Sequence, residues 1–310
     1  MVLDFFKKVR QVLQEEHRLV LMVVVANEGS SPGRKGFKML VTKSQMHGTI
    51  GGGIMEHKLV EYARALLDQA NFAPFLKHQI HDKAAPNNQS GMICSGQQSV
   101  AFYDLNLESL DRMALISNSE KGTITYTEKG IEVDGIPTSN SQWAYNESIA
   151  LPNKVYIIGG GHVGLALSEV LSRLDFEIHL LDHRENLNTM EANHFADSSQ
   201  VVSFEAIEKY IPEGENTFVV IMSFGYRTDD IIIRRLLGKH FQYIGMLGSQ
   251  EKIATLFRNL LADGFSQAQL DQVHAPIGID IKSETTSEIA ISIAAQLIKI
   301  KNQHQSHDRY

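Results

Sequence analysis

The chain has 310 residues, 43% hydrophobic and 21% charged, which is typical of a globular protein long enough for two domains. Its net charge of −7 argues against a nucleic-acid partner, because such a surface needs a basic field. The one cysteine, Cys94, excludes an intramolecular disulfide and a zinc site built from several thiolates.

The first half of the chain alternates helix-like and strand-like patterns. We predict helices over 3–16 and 54–70, and strands over 19–26, 37–42 and 97–105. The first helix carries charged residues throughout and lacks the uninterrupted apolar core of a signal peptide. The apolar run 19–26 is too short to span a bilayer and is typical of a buried strand. We therefore expect a cytoplasmic protein with no membrane partner.

The middle of the chain has a weaker pattern, rich in turn residues, in which 123–128 is a candidate hairpin strand. We place the domain boundary near residue 150. The interpretation is an N-terminal domain, a connecting segment, a second domain and a tail, over 1–105, 106–150, 151–302 and 303–310.

The second half changes to a regular strand–helix rhythm. Strands are predicted over 154–160, 176–182, 217–223 and 241–247, and helices over 162–174, 229–239, 251–264 and 287–301. Thr285, followed three residues later by Glu288, predicts a capping box for the last helix. Such alternation predicts a parallel sheet covered by helices on both faces.

A dinucleotide fingerprint opens this second half. Gly159, Gly161 and Gly164 follow a strand and begin a helix. They would serve a tight turn, close approach to a pyrophosphate and close packing of helix on strand. Asp182 ends the next strand, where it could accept hydrogen bonds from a ribose diol, and His162 could contact phosphate. The predicted fold class is α/β: a C-terminal Rossmann-like doubly wound parallel sheet plus a smaller N-terminal α/β domain.

The fingerprint leaves the ligand open. Asp182 favours NAD over NADP, while Arg184 keeps a 2′-phosphate compatible. The loop is equally consistent with a vacant site or another phosphate ligand, and His162 with a solvated residue at the helix start. The strand ends at 223–227 and 248–252 offer no obvious proton-transfer pair, which argues against a dehydrogenase.

Three segments of the first half are candidates to converge on a ligand. The turn 29–36 contains a cation pair, the loop 48–53 is rich in glycine and precedes Glu56, and Cys94 stands in a flexible loop before a strand. Each also has a purely structural interpretation, such as ordinary turn chemistry, a glutamate at a helix start or a buried thiol. Exposure beside amides and cations would lower the pKa of the thiol.

These segments resemble the XdhC/CoxI family over nearly the whole chain. The amino-terminal part is similar in "GSSPGRKG", "GTIGGGIMEHKL" and "MICSG". The carboxyl part is similar in "VYIIGGGHVGLAL", "YIGMLGSQEK" and "HAPIGIDIKSETTSEIAISIAAQLI". Of these stretches, "HAPIGIDI" is the most specific.

The resemblance implies an accessory factor that binds molybdenum cofactor (molybdopterin), assists its sulfuration and delivers it to a xanthine dehydrogenase-type molybdenum hydroxylase. The partners it implies are the hydroxylase apoenzyme, a cysteine desulfurase or similar sulfur donor, and a second copy of the chain. By motif position, Gly51, Gly52, Gly53 and Glu56 are cofactor-binding, and Cys94 is a cofactor, molybdenum or sulfur contact. Such a factor is a maturation chaperone without net turnover.

The chain departs from the family pattern at three places. It has Ser95 where the family has glycine, Ser223-Phe224 where many members have Thr-His, and Gln250 where arginine is usual. The last two changes remove a histidine and an arginine from the expected ligand edge. An NAD(P)-dependent oxidoreductase and a nucleotide-sensing regulatory module remain the alternative hypotheses.

Overall fold

The computed structural model of the chain describes residues 2–81, 96–119, 121–134, 141–149 and 151–304. It divides into two compact units, Met1–Leu151 and Pro152–Tyr310. Within the described residues no helix is both long enough and apolar enough to cross a membrane.

The first unit contains an antiparallel sheet with helices packed against it. Its elements up to residue 117 are α1 (Val2–Glu16), β1 (Arg18–Gly29), β2 (Lys38–Val41), β3 (Met46–Gly48), α2 (Gly53–Leu67), β4 (Phe75–His81), β5 (Gly96–Asn106) and α3 (Leu110–Ser117), with a 3₁₀ turn over Leu107–Ser109. The strand order is β3-β2-β1-β5-β4. β1 is central because its apolar run is buried on both faces.

Alternate residues of β1 supply two separate hydrophobic cores. Leu19, Leu21 and Val23 belong to one cluster, whereas Val20 and Met22 belong to another. This follows from the two-residue period of a strand, which sends successive side chains to opposite faces. The first cluster includes residues of α1 and the second includes residues of α2.

Residues 106–150, which we interpreted as a connecting segment, share the core of the first unit. Besides α3 they form β6 (Gly122–Thr127), β7 (Gly130–Val133) and β8 (Ala144–Ile149), a small sheet in the order β7-β6-β8. Tyr126, Ile131 and Tyr145 are buried in the cluster that contains Leu21. These strands are too short, and too often interrupted by turns, to show a clear alternation of apolar and polar residues. Their apolar faces are nevertheless buried against the larger sheet.

The second unit is built on a parallel sheet. Its elements are β9 (Asn153–Ile158), α4 (His162–Leu171), β10 (Phe176–Asp182), α5 (Asn188–Glu191), β11 (Ser198–Val201), β12 (Gly214–Ile221), α6 (Tyr226–Leu236), β13 (Phe241–Met246), α7 (Gln250–Ala262), α8 (Gln267–Leu270), β14 (Val273–His274) and α9 (Thr286–His304), with a 3₁₀ segment over Phe204–Lys209.

The strand order β11-β10-β9-β12-β13-β14, parallel throughout, is that of a Rossmann fold. The predicted fold class is therefore confirmed. Alternate residues of β9 enter cores on the two faces of the sheet, Tyr156 and Ile158 on one side and Val155 and Ile157 on the other.

The start of α9 is capped as predicted. The Glu288 carboxylate accepts a hydrogen bond from the Thr285 amide at 2.9 Å, and the Thr285 hydroxyl accepts one from the Glu288 amide at 3.3 Å. Backbone donors that would otherwise lack partners at the helix end are thereby satisfied.

Candidate functional site

The glycine loop of the second unit lies between β9 and α4, and two of its glycines are required by the backbone. Gly159 has φ of 131°, and a Cβ there would stand 2.3 Å from the carbonyl oxygen of Met222. A Cβ on Gly164 would stand 2.2 Å from the carbonyl oxygen of Gly159. Close packing of strand, turn and helix therefore requires glycine at both positions.

Gly161 differs from these two glycines. Its φ of −74° suits any residue, and a Cβ there would meet no heavy atom of the described residues within 4 Å. The open space lies at the amino end of α4, the position at which a pyrophosphate approaches a fold of this kind. His162 is the exposed first residue of the helix.

Asp182 lies at the end of β10 and is only 1% exposed. Its carboxylate accepts hydrogen bonds from the Gly160 amide at 2.7 Å and from the amide and guanidinium of Arg184 at 2.7–2.9 Å. Burial opposes ionisation, but these hydrogen bonds outweigh it and lower the pKa of Asp182 to about 2. Asp182 is thus an ionised residue that holds the glycine loop to the second strand.

Arg184 also contacts an aromatic ring on the neighbouring loop. Its guanidinium carbon lies 5.6 Å from the ring centroid of Phe224, a side chain that is 85% exposed. Phe224 follows β12. The loops after β10 and β12 are therefore linked by a cation–π contact outside the carboxyl ends of the strands.

A buried charged network lies at the same edge of the sheet, and the sequence analysis missed it. Asp229, in the first turn of α6, is fully buried and forms an ion pair with Lys252 in the first turn of α7. The Ser223 hydroxyl donates to Asp229 at 2.5 Å and lies 2.6 Å from the Thr228 hydroxyl. Burial raises the pKa of Asp229, although the hydrogen bonds from Lys252 and Ser223 oppose the shift.

The prediction that the strand ends at 223–227 and 248–252 offer no obvious proton-transfer pair stays a prediction, because Asp229 lies outside both segments and its contact with Lys252 is an ion pair. Lys252 belongs to the second of these segments, and Asp229 lies two residues beyond the first. Asp229 and Lys252 are 23 residues apart in the chain, and their ion pair joins the starts of two helices. The sequence shows an acid and a lysine, each in the first turn of a helix that follows a parallel strand, but it does not show that the two side chains meet.

The glycine loop of the first unit is closed on itself by Glu56. One carboxylate oxygen of Glu56 accepts from the Thr49 hydroxyl at 2.6 Å, the Ile50 amide at 2.8 Å and the Gly52 amide at 2.9 Å. Although burial raises the pKa of Glu56, these hydrogen bonds lower it overall. Two of the loop's amides are thus already paired with an anion from the protein itself.

The 29–36 turn and the 48–53 loop are brought together, as the sequence analysis anticipated. A Cβ on Gly51 would lie 2.4 Å from the Gly33 amide nitrogen, so the two backbones are in direct contact. Buried Gln98 of β5 accepts from the Gly33 amide at 2.9 Å and donates to the Ile50 carbonyl at 3.3 Å. Gln98 stands between Gln97 and Ser99 in the polar first part of β5, so the sequence did not single it out.

Gln79 of β4 extends this contact. Its side-chain oxygen accepts from Gln98 at 2.7 Å, while its side-chain nitrogen, which is buried, has no hydrogen-bond partner among the described residues. A buried amide donor without a partner is costly, which makes this nitrogen a candidate ligand contact. In the 48–53 loop, a Cβ on Gly52 would meet no heavy atom of the described chain within 4 Å.

Cys94, the predicted cofactor and molybdenum contact, lies outside the described residues. The strand β5 that follows it begins at Gly96, where a Cβ would lie 2.5 Å from the Ser31 amide nitrogen. In the described ranges, His, Asp and Glu residues form no group of three that could hold a metal ion.

Comparison with known proteins identifies both units. Residues 155–297 match the model of the XdhC Rossmann domain, and residues 12–77 match the model of the XdhC and CoxI family. A crystal structure described as a xanthine dehydrogenase from Bacillus halodurans has the same fold, with a TM-score of 0.78 and 23% identity, covering 98% of this chain and 97% of that one.

Two curated proteins align over almost the full chain. A Bacillus subtilis protein described as a probable subunit of xanthine dehydrogenase is 20% identical, over 96% of this chain and 98% of its own length. The uncharacterized Escherichia coli protein YqeB is 23% identical over 97% of this chain. The chain spans about half the length of YqeB, 47%. With both of its units matched in order, the chain belongs to the XdhC and CoxI family.

Proposed function

We propose that this chain is an accessory factor that binds molybdenum cofactor, assists its sulfuration and delivers it to a xanthine dehydrogenase-type molybdenum hydroxylase. Membership of the XdhC and CoxI family supports an accessory role in the maturation of such an enzyme. The name of the Bacillus subtilis relative links a chain of this length to xanthine dehydrogenase. The proposed partners are the hydroxylase apoenzyme and a sulfur donor such as a cysteine desulfurase.

The observation that carries the proposal is the meeting of the 29–36 turn, the 48–53 loop and the start of β5 around Gln98. The side-chain nitrogen of Gln79, which has no hydrogen-bond partner among the described residues, fits an acceptor atom supplied by a ligand. A Cβ on Gly52 would meet no described heavy atom within 4 Å, so a ligand could approach the backbone there. When bound, the cofactor supplies a phosphate, a pterin and a dithiolene that holds molybdenum.

The residues present fit such a group. We expect Gln79 to donate to it, the backbone of Gly52 and Gly53 to approach it, and Cys94 to contact its sulfur or metal end. Because Glu56 is already bound to the Ile50 and Gly52 amides, its role is to hold the loop in shape for the ligand. The second unit would bind a nucleotide or part of the same ligand.

The test is retention of molybdenum cofactor by the purified protein after gel filtration. Molybdenum content and pterin fluorescence after oxidation report the bound amount. We expect retention by the wild-type protein, a strong loss with Cys94→Ala, and wild-type retention with Ser95→Ala, which alters the neighbouring residue and leaves the thiol. Circular dichroism checks that each variant is folded.

Two outcomes would contradict the proposal in different ways. Equal retention by wild type and Cys94→Ala removes the thiol from the mechanism. No retention by either protein contradicts cofactor binding itself. In that case, a spectral change of a nicotinamide with candidate substrates would favour the NAD(P)-dependent oxidoreductase. Nucleotide affinity without such a change would favour the nucleotide-sensing module.

A further inference from the structure

The crevice of the second unit lies where the strand order reverses. β9 stands between β10 and β12, so the loops after these three strands border the site at which doubly wound sheets bind ligands. Asp182 and Arg184 belong to the loop after β10, and Phe224 belongs to the loop after β12. The side chains of these residues decide which part of a nucleotide the crevice can recognise.

The hydrogen-bonding capacity of Asp182 is used up within the protein. A carboxylate offers about four lone-pair sites. One oxygen of Asp182 accepts from the Arg184 amide and from Nε of Arg184, and the other accepts from the Gly160 amide and from Nη2 of Arg184. A ribose diol could reach this carboxylate only by displacing the guanidinium.

Arg184 is held in that position from a second direction. Its guanidinium lies 5.6 Å from the ring centroid of Phe224, across the entrance between the loops after β10 and β12. The side-on contact uses Nε and Nη2 of Arg184 as donors to the two oxygens of Asp182. The usual acceptor for the ribose diol of a dinucleotide is thus occupied by the chain's own side chain.

We propose that Arg184 is the specificity-determining residue of this crevice: by occupying Asp182 it prevents recognition of a ribose diol, so that the site takes a phosphate-bearing ligand without reading a ribose. The proposal rests on the proposed role of the second unit as a ligand-binding half. Of the ligands proposed for the second unit, it excludes a dinucleotide whose ribose diol is bound by the Asp182 carboxylate, as in NAD recognition.

The first test uses the unmodified full-length protein. Affinities for ADP and 2′-deoxy-ADP are measured by isothermal titration calorimetry. Because the proposal allows no contact between the carboxylate and the diol, we expect the two affinities to be equal, or both too weak to measure. A clear preference of the wild-type protein for ADP would overturn the proposal.

The second test removes the guanidinium. Arg184→Met keeps an apolar stem beside Phe224 and frees two acceptor positions on Asp182. We expect this variant to bind ADP about tenfold or more tightly than 2′-deoxy-ADP, the ratio typical of hydrogen bonds to a charged group. Arg173→Met is the matched control, because Arg173 is exposed just beyond the opposite end of α4. It should behave as wild type.

The outcomes separate this inference from the proposed function. Equal binding of both nucleotides by Arg184→Met, or binding of neither, would overturn the inference, because the freed carboxylate would then read no diol. Retention of molybdenum cofactor is measured independently and stays unaffected by that result. Conversely, failure of cofactor retention with a diol preference created by Arg184→Met would leave the inference standing and reject the cofactor assignment.

Discussion

The two glycine loops of this protein are alike in sequence and differ in how they use their amides. Both lead from a strand or turn into a helix, and both contain glycines with positive φ. In the first unit Glu56, from the following helix, folds back and takes the Ile50 and Gly52 amides. In the second unit Asp182, from the next strand, takes the Gly160 amide and leaves the space beside Gly161 open.

The difference shows that a glycine-rich loop indicates where the backbone turns or packs closely against another segment. It does not indicate whether the amides of the loop are available to a ligand. An internal carboxylate can satisfy the same donors that would bind an anionic ligand. In the first loop the anion is built in, so a ligand would contact the backbone beside it. In the second loop Asp182 accepts only the Gly160 amide, and the described residues leave the space beside Gly161 open. The following predictions test this distinction.

The largest expected effect is that of a side chain at the glycines that the backbone path requires. Gly159→Ala should lower the free energy of unfolding of the second unit by about 3 kcal/mol or more, because strain at positive φ adds to a clash with the Met222 carbonyl. Gly51→Ala should do the same in the first unit, where the clash is with Gly33. Hydrogen exchange, resolved by peptide, measures each unit separately; native-like protection in either variant would contradict the close packing.

An intermediate effect is expected when the built-in anion is removed. Glu56→Ala leaves the Ile50 and Gly52 amides without their acceptor, which should cost about 1–3 kcal/mol of the stability of the first unit. Glu56→Gln keeps one acceptor oxygen and should cost less. Urea unfolding followed by fluorescence of Trp143, which packs against the core of the first unit, measures both. Equal stability of Glu56→Ala and wild type would show that solvent replaces the carboxylate.

A pH dependence is expected from the carboxylate of the second loop. The pKa of Asp182 falls from 3.8 to about 2 on folding, so the folded state binds fewer protons. The stabilisation is therefore present above about pH 4 and is lost as the pH falls through about 2. Its full size is about 2 kcal/mol. Urea unfolding of wild type and Asp182→Asn between pH 6 and pH 3 should show their difference shrinking; parallel curves would contradict the assignment.

The smallest effect is expected at the open glycine. Gly161→Ala should change the stability of the second unit by less than about 0.5 kcal/mol, because φ is ordinary and a Cβ meets no described atom within 4 Å. Hydrogen exchange of β9 and α4 checks this against Gly159→Ala. A large loss at Gly161 would show that the two positions are equivalent and that the space is not open.

Much of the fold could be predicted because it depends on local patterns. The apolar runs of β1 and β9 and the helical period of α4 marked their elements, and Gly159, Gly161 and Gly164 marked the Rossmann turn. Residues 106–150 were harder to interpret, since β6, β7 and β8 are short and their burial comes from contact with a distant sheet. Tyr126 and Tyr145 are core residues only because that sheet is present.

The candidate site was predicted in part. The 29–36 turn and the 48–53 loop were candidates to converge, and they do meet, through Gln98. It could not indicate that Glu56 binds its own loop, or that Asp229 pairs with Lys252 across two helices. The sequence identified Gly51, Gly52 and Gly53 as candidate site residues, but it did not identify Glu56 as the acceptor of the Ile50 and Gly52 amides.

By itself, the sequence determined the family, the α/β class and the places where the backbone must turn, because steric limits on glycine and the periodicity of buried residues act over a few neighbours. The tertiary structure alone decided which polar groups are already satisfied. Arg184 lies two residues from Asp182 in the chain, but only the packing of β10 against β9 sets its guanidinium and the Gly160 amide on one carboxylate. A carboxylate accepts a limited number of hydrogen bonds, and folding determines which protein groups occupy those of Asp182.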